Sequence, residues 1–389
     1  MSRPEGPHSN MTYLDHAATS WPKPAPVVDS VARALVELGG NPGRGAHALA
    51  LSTSRAVFEA RRTCSELLGV ADSRSLLFQP SCTVACNVML KGTLRRGDRV
   101  VVGSMEHNAV VRPLARLKAE GLKVEIVRAD SAGLIDPADV ERVVRSGPTR
   151  ALICQHASNV TGTIQPLGDL ADIAHENGAI LLVDGAQAAG HLSVDIDSIR
   201  PDGYAASGHK GMLGPPGIGL LYLSPELEVA ELIQGGTGGG SSASSEMPSH
   251  RPDRYEAGSG NTPGMTGLGA AAGLLAEKGD SFREHSSDLM RQLHEGVLDI
   301  AGFRVLGPPP EEPRVPLLSI VHKTIEPDRI AFLLDRDYSV AARAGLHCAA
   351  WAHESVGSLA GGAVRLSVGW TTQAKDVDRA LCALREIVS

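Results

Sequence analysis

Between about residues 54 and 225 the chain changes its hydrophobic period repeatedly. Apolar residues recurring three and four positions apart predict amphipathic helices over 54–68, 83–94, 109–120, 138–145 and 167–177. Short apolar runs between them predict strands over 75–78, 99–102, 124–127, 151–154, 180–183 and 203–206, followed by another at 219–223. Such alternation of helix and strand predicts a parallel α/β architecture. A glycine- and serine-rich segment at 235–250 is too polar for a core, and from about residue 264 a long helical stretch leads into a smaller α/β unit. The expected organisation is a large domain over 13–262 and a small C-terminal domain over 263–389, with the first 30 residues expected to pack with the small one.

Composition narrows what this architecture serves. Of 389 residues, 42% are hydrophobic and 21% charged, which is ordinary for a globular protein. The formal charge of −7 and the lack of a basic block argue against nucleic acid, and 3% aromatics leave few stacking platforms. No apolar run reaches the roughly 20 residues that span a bilayer, and the polar start MSRPEGPHSNM is unlike a secretion signal, so a cytoplasmic protein is expected. Six scattered cysteines make no disulfide framework or zinc pattern; Cys64, Cys82, Cys86, Cys154 and Cys382 are expected to be core thiols.

Open α/β sheets place ligands beyond the carboxyl ends of their strands. Asp184 and Gln187 follow the strand AILLV, Ser207-Gly-His-Lys210 follows GYAA, and Asn159 follows the strand ending at Cys154. Each has two readings. Asp184 is either a helix N-cap or a buried carboxylate facing a cation such as a protonated pyridine nitrogen. Lys210 is either a solvated loop lysine or an amine that forms a Schiff base. His209, Ser207 and Thr83 are candidate phosphate donors, Thr83 because it opens a helix; no Walker A sequence follows the glycine run. His107 is a helix-start residue or an imidazole stacked on a planar ring. Cys348 lies in AARAGLHCAAWAH, where Arg343, His347 and His353 are expected to supply positive charge and lower its thiol pKa. Arg365 is an ion-pair residue or a clamp for a carboxylate.

The stretches YLDHAATS, EHNAVVRP, HASNVTGT, VDGAQAAGH, SGHKGMLGPPGIG, EAGSGNTPG and RAGLHCAAWAH together resemble the class V aminotransferase family of fold type I pyridoxal-phosphate enzymes, in its cysteine desulfurase branch. The resemblance runs from residue 13 to beyond residue 365. It implies that Lys210 carries pyridoxal 5′-phosphate as a Schiff base, Asp184 pairs the pyridine nitrogen, Gln187 bonds the ring hydroxyl and His107 stacks on the ring. Thr83, Ser207 and His209 would hold the phosphate, with Ser259 contributed by the partner subunit of a homodimer. Asn159, Arg365 and Arg343 would bind the substrate carboxylate. Cys348 would take sulfur from L-cysteine as a persulfide and pass it to an acceptor, with L-selenocysteine as a second candidate substrate. The spacing of Cys348 to Arg365 resembles the group II desulfurases. Other members of the family, carbon–sulfur lyases, selenocysteine lyases and aminotransferases, are alternatives in which Cys348 carries no persulfide, and a catalytically silent scaffold on the same fold is a further alternative. Three departures stand out: Pro80-Ser-Cys-Thr-Val-Ala85 replaces the usual Ser/Asn-Gly-Ala-Thr-Glu-Ala, Ser259 replaces threonine, and Leu346 replaces a common histidine.

Overall fold

The computed structural model describes residues 10–43, 45–237 and 243–389; part of the polar segment at 235–250 therefore lies outside the described residues. The strands are β1 (Thr12–Tyr13), β2 (Leu76–Gln79), β3 (Arg99–Gly103), β4 (Lys123–Val127), β5 (Ala151–Gln155), β6 (Ile180–Asp184), β7 (Gly203–Ser207), β8 (Gly219–Leu223), β9 (Phe303–Leu306), β10 (Leu317–His322), β11 (Val340–Ala341), β12 (Arg343–Gly345) and β13 (Ala363–Ser367). The helices are α1 (Ala25–Glu37), α2 (Ala48–Leu67), α3 (Cys82–Thr93), α4 (Asn108–Ala119), α5 (Pro137–Val144), α6 (Leu167–Glu176), α7 (Ile196–Ile199), α8 (Thr262–Leu298), α9 (Pro327–Tyr338), α10 (Ala350–Ser355) and α11 (Ala374–Val388).

Seven strands form the main sheet in the order β2-β8-β7-β6-β5-β3-β4, with β8 alone running against the others. Its inner strands β5 to β8 are largely apolar because both faces are covered, whereas the edge strand β4, KVEIV, is mostly exposed. In β6, Leu181 and Val183 face one core and Leu182 the other; in β3, Val101 faces the first and Val100 and Val102 the second. The chain runs outward from β3 to β4 and then crosses back to β5, so the strand order reverses between β3 and β5. Such a switch point opens a crevice at the carboxyl ends of the strands.

A second sheet of four antiparallel strands, β12-β13-β10-β9, buries its apolar face against α8, α9 and α11 through Leu293, Ile320, Leu334, Leu366 and Leu381. The long helix α8 joins the two cores: Leu268 and Ala272 pack into the first and Leu293 and Val297 into that of the second sheet. The N-terminal segment also reaches this sheet, since Ser367 N of β13 donates to Leu14 O at 2.7 Å, while β1 pairs in parallel with β11 in a separate two-stranded sheet. That contact carries residues 15–18 to the mouth of the crevice. One cysteine departs from expectation. Cys382 is exposed, because the apolar stripe of α11 runs through Val377, Leu381 and Leu384 and turns position 382 outward.

Candidate active site

A cavity of about 230 Å³ opens where the carboxyl ends of β5, β6 and β7 meet the second sheet. Its floor is the start of α3. Ser81 caps that helix, its Oγ accepting from Val84 N at 3.2 Å, and Cys82 and Thr83 follow as the first helical residues. The chain gets this close to β8 because position 219 is glycine: a Cβ there would lie 2.8 Å from Cys82 N. The first amides of α3 thus face the cavity without helical acceptors, a setting that favours an anion.

Asp184 ends β6 and is 4% exposed. Its Oδ1 accepts from Ala186 N at 3.0 Å and from the Cys82 thiol at 3.5 Å. It therefore caps a turn, not a helix. Among the described residues no cation stands within ion-pair distance of this buried carboxylate, which leaves room for a cationic ligand. Behind it Glu106 is fully buried; burial first, and then the charge of Asp184, push its pKa up to about 8.

Lys210 follows β7 in a tight turn and lines the same cavity. Burial lowers its pKa, and Arg365 and Arg343 add to this against the opposing pull of Cys82 and Asp184. His209 exposes little polarity: burial and the charges of Lys210 and Lys23 take its pKa to about 4, and its Nδ1 is buried without a partner. The backbone at this point is tied down, since His209 O accepts from Ser20 N at 2.9 Å and from Lys23 Nζ at 2.9 Å. Ser207 ends β7, 3% exposed, on the same wall. His107 is the N-cap of α4 and also lines the cavity; its Nδ1 accepts from Ala109 N at 3.0 Å, so the ring hydrogen sits on Nε2, and burial lowers its pKa.

The opposite wall comes from the second sheet. Arg365 in β13 is 2% exposed; Nη1 donates to Asn159 O at 3.1 Å, Nη2 pairs with Asp15 Oδ1 at 3.2 Å, and Nε has no partner. Arg343 lies across from it in register. Asn159 donates from Nδ2 to His347 O at 2.8 Å, and its Oδ1 is buried without a partner. Cys348 sits at the mouth, exposed, on a loop where His347 (φ 49°) and Cys348 (φ 57°) are both left-handed. Non-glycine residues hold that conformation at a cost on the order of 1–3 kcal/mol each, and it turns the thiol toward the cavity that Lys210 also lines.

The structure thus gathers Thr83, His107, Asn159, Asp184, Ser207, His209, Lys210, Arg343, Cys348 and Arg365 around one cavity. Two candidates stand apart. Gln187 donates to Ala17 O at 2.9 Å and keeps a partnerless, buried Oε1 behind the cavity wall. Ser259 is exposed and accepts from Asn41 Nδ2 at 3.2 Å. One electrostatic expectation fails: His347 and His353 do not bring positive charge to Cys348, because burial pushes their pKa values down to about 3 and about 4. Arg343, Arg365 and Lys210 line the cavity with Cys348. Sequence reasoning missed Ala17 and Ala18 in the wall, the Asp15–Arg365 pair, Ser81 as cap and the contact of Cys82 with Asp184. Of these only Ser81 carried a local signal, a serine ahead of a helical run.

The donor set fits pyridoxal phosphate. The free amides of α3 and the orphan His209 Nδ1 suit its phosphate, and the unpaired Asp184 its pyridinium. The Aminotransferase class-V family matches residues 12–380. The chain is 34% identical over 383 residues to a probable cysteine desulfurase of Methanothermobacter thermautotrophicus, covering 96% of this chain and 94% of that one. Its fold is similar to the apo structure of the cysteine desulfurase of Thermococcus onnurineus, with a TM-score of 0.91, 28% identity and coverage of 100% and 99%. It is also similar to the Escherichia coli cysteine desulfurase CsdA, with a TM-score of 0.87, 28% identity and coverage of 97% and 95%. With a match from residue 12 to residue 380, the chain belongs to the class V aminotransferase family.

Proposed function

We propose that this protein is a cysteine desulfurase, converting L-cysteine to L-alanine and collecting the sulfur as a persulfide on Cys348. The observation that carries the reading is that an exposed cysteine on a strained loop lines the same cavity as a Lys210 amine of lowered pKa and a buried, unpaired Asp184. Relatives that share nearly the whole chain bear the same activity in their names.

Pyridoxal phosphate, when bound, supplies an electron sink for the substrate's Cα carbanion. Lys210 would hold it covalently, Asp184 would keep its pyridine nitrogen protonated, and His107 would stack against its ring. Thr83, Ser207, His209 and the α3 amides would hold its phosphate, and Gln187 would bond its hydroxyl. Ser259 adds a phosphate contact to the other protomer of a homodimer. Arg365, Arg343 and Asn159 would take the substrate carboxylate; Arg365 Nε, a donor with no partner, supports this role. Lys210, whose amine lines the cavity, would move the substrate's Cα proton. Cys348 Sγ then attacks the substrate sulfur. The new S–S bond forms as the substrate Cβ–S bond breaks, and the carbon side takes a proton to leave as alanine. Cysteine and thiol become alanine and persulfide, so the step balances without an outside oxidant.

The persulfide passes to an acceptor thiol at the exposed mouth. The two-domain division at residue 262 and a cytoplasmic setting belong to the same reading; among the described residues no helix is long and apolar enough to cross a membrane. The test is to give the pure protein L-cysteine and assay alanine and protein-bound sulfur together. Alanine and persulfide in step support the reading. Alanine absent, with sulfide and pyruvate instead, replaces it by a carbon–sulfur lyase.

A further inference from the structure

The loop that carries Cys348 is tied to a buried hydrogen-bond chain to which the reaction above gives no role. Arg343 O receives His347 Nε2 at 3.2 Å. A carbonyl can only accept, so the His347 ring hydrogen is on Nε2 and its Nδ1 must accept from His353 Nε2, 3.3 Å away. His353 Nδ1 in turn accepts from Ser358 Oγ at 2.8 Å. The direction is forced at every link: Ser358 to His353, His353 to His347, His347 to the backbone. Both imidazoles are buried, at 5% and 0% exposure, and their rings lie nearly parallel with centroids 5.5 Å apart. Burial holds both neutral at physiological pH, as the chain requires, because a protonated His347 could not accept.

What this chain holds is backbone that has little reason to hold itself. His347 and Cys348 are successive left-handed residues, and neither is glycine. Their carbonyls are fixed from the large-sheet side: Asn159 Nδ2 donates to His347 O at 2.8 Å and Asn108 N donates to Cys348 O at 2.7 Å. The His347 side chain is the tie from the other side, and it is only as fixed as His353. That residue sits on α10, where Ser358 N closes back on His353 O at 2.8 Å.

We propose that His353, held by Ser358, is a positioning residue for Cys348: it locks the His347 ring, and through it the two left-handed residues that set the thiol at the cavity. The inference rests on Cys348 being the sulfur acceptor. It predicts that sulfur transfer depends on His353 while cofactor and substrate binding do not.

The experiment uses the cofactor-loaded enzyme and three variants. His353→Leu fills the space without a donor. His353→Gln offers an amide that can donate to His347 Nδ1, and Ser358→Ala removes only the far hydroxyl. Three quantities are read: single-turnover persulfide on the Cys348 peptide by mass, exchange of the substrate α-proton with solvent, and hydrogen exchange of backbone amides over 343–353. His353→Leu is expected to slow persulfide formation about 10-fold or more, since misplacement of a reacting atom by about 1 Å costs up to about 100-fold. KM should stay within about twofold, α-proton exchange should match the parent, and the Ala349 amide, bonded to Leu346 O at 2.8 Å, should exchange faster. His353→Gln should recover most of the rate, and Ser358→Ala should fall between. Parent-like persulfide formation in His353→Leu overturns the proposal, as does equal loss in the Leu and Gln variants, which would mark His353 as packing alone. If His353→Leu does not fold, Ser358→Ala decides: an unchanged rate and unchanged exchange overturn the proposal. Should the parent itself form no persulfide, the desulfurase reading fails, and the amide-exchange comparison still decides whether His353 pins the loop.

Discussion

Replacing Glu106 with Gln isolates the electrostatic cost of the carboxyl behind the site. Glu106 is fully buried; one oxygen accepts the Gln155 amide at 2.6 Å and the other has no partner. Burial, reinforced by Asp184, raises its pKa from 4.5 to about 8. Between those two values the unfolded chain has released a proton that the folded chain retains. Its contribution to stability is therefore intact below about pH 4.5 and is lost progressively as pH rises to about 8. At about 1.4 kcal/mol per pH unit the full span is on the order of 5 kcal/mol, an upper limit because relaxation and water screen buried charge. Glutamine keeps the acceptor for Gln155 but places two unpaired amide hydrogens where the protonated carboxyl has one unpaired hydroxyl, an added cost of about 1–3 kcal/mol independent of pH. Glu106→Gln should thus be less stable than the parent at pH 5, and the gap should close or reverse by pH 8. Urea unfolding of both proteins, freed of cofactor, at pH 5, 6.5 and 8 measures this, because the difference between them removes every other titrating group. A difference that stays constant over the three pH values would refute the assignment of a proton to Glu106.

Three further outcomes concern the cavity. Borohydride reduction of the loaded protein should fix pyridoxal phosphate on the Lys210 peptide, and Lys210→Ala should lose that adduct; an adduct on another lysine removes Lys210 from its role. Asp184→Asn should fold normally and lose most turnover, on the order of 100-fold, because a neutral amide cannot hold the pyridine proton; near-parent turnover would leave Asp184 as the cap of a turn. Arg365→Ala should raise KM for L-cysteine about 10-fold or more with a smaller change in kcat, and Arg365→Lys should rescue little because it lacks the planar fork; an unchanged KM would leave Arg365 only its pair with Asp15.

Much of this architecture was legible in the sequence, for a physical reason. Strands covered on both faces must be apolar throughout, and runs such as Leu181-Leu182-Val183 have few other readings. Helices between them carry one apolar stripe, so their limits fall within a residue or two of the expected ones, except that α2 begins earlier, at Ala48. Residues just past strand ends, such as Asp184, Ser207 and Lys210, were legible as a group because the fold puts them at one edge. What the sequence hides is contact between distant segments. Nothing local to Asp15 announces Arg365, 350 positions away, and nothing in Thr12–Tyr13 announces a pairing with Val340–Ala341. Burial hides likewise: His347 and His353 count as cations in a string of letters and are neutral once enclosed. Cys82 passes for a core thiol until its neighbour proves to be Asp184.

The central claim is that Cys348 takes the sulfur, and Cys348→Ser tests it most directly. The loaded variant should still bind L-cysteine and perturb the cofactor absorbance, since Lys210, Asp184 and Arg365 are untouched. A hydroxyl is a far weaker nucleophile toward sulfur than a thiolate, so alanine formation should fall on the order of 100-fold or more. The mass gain of one sulfur on the Cys348 peptide should vanish, while Cys382→Ser, which removes the other exposed thiol, should leave it in place. Alanine formed by Cys348→Ser at the parent rate would contradict the account.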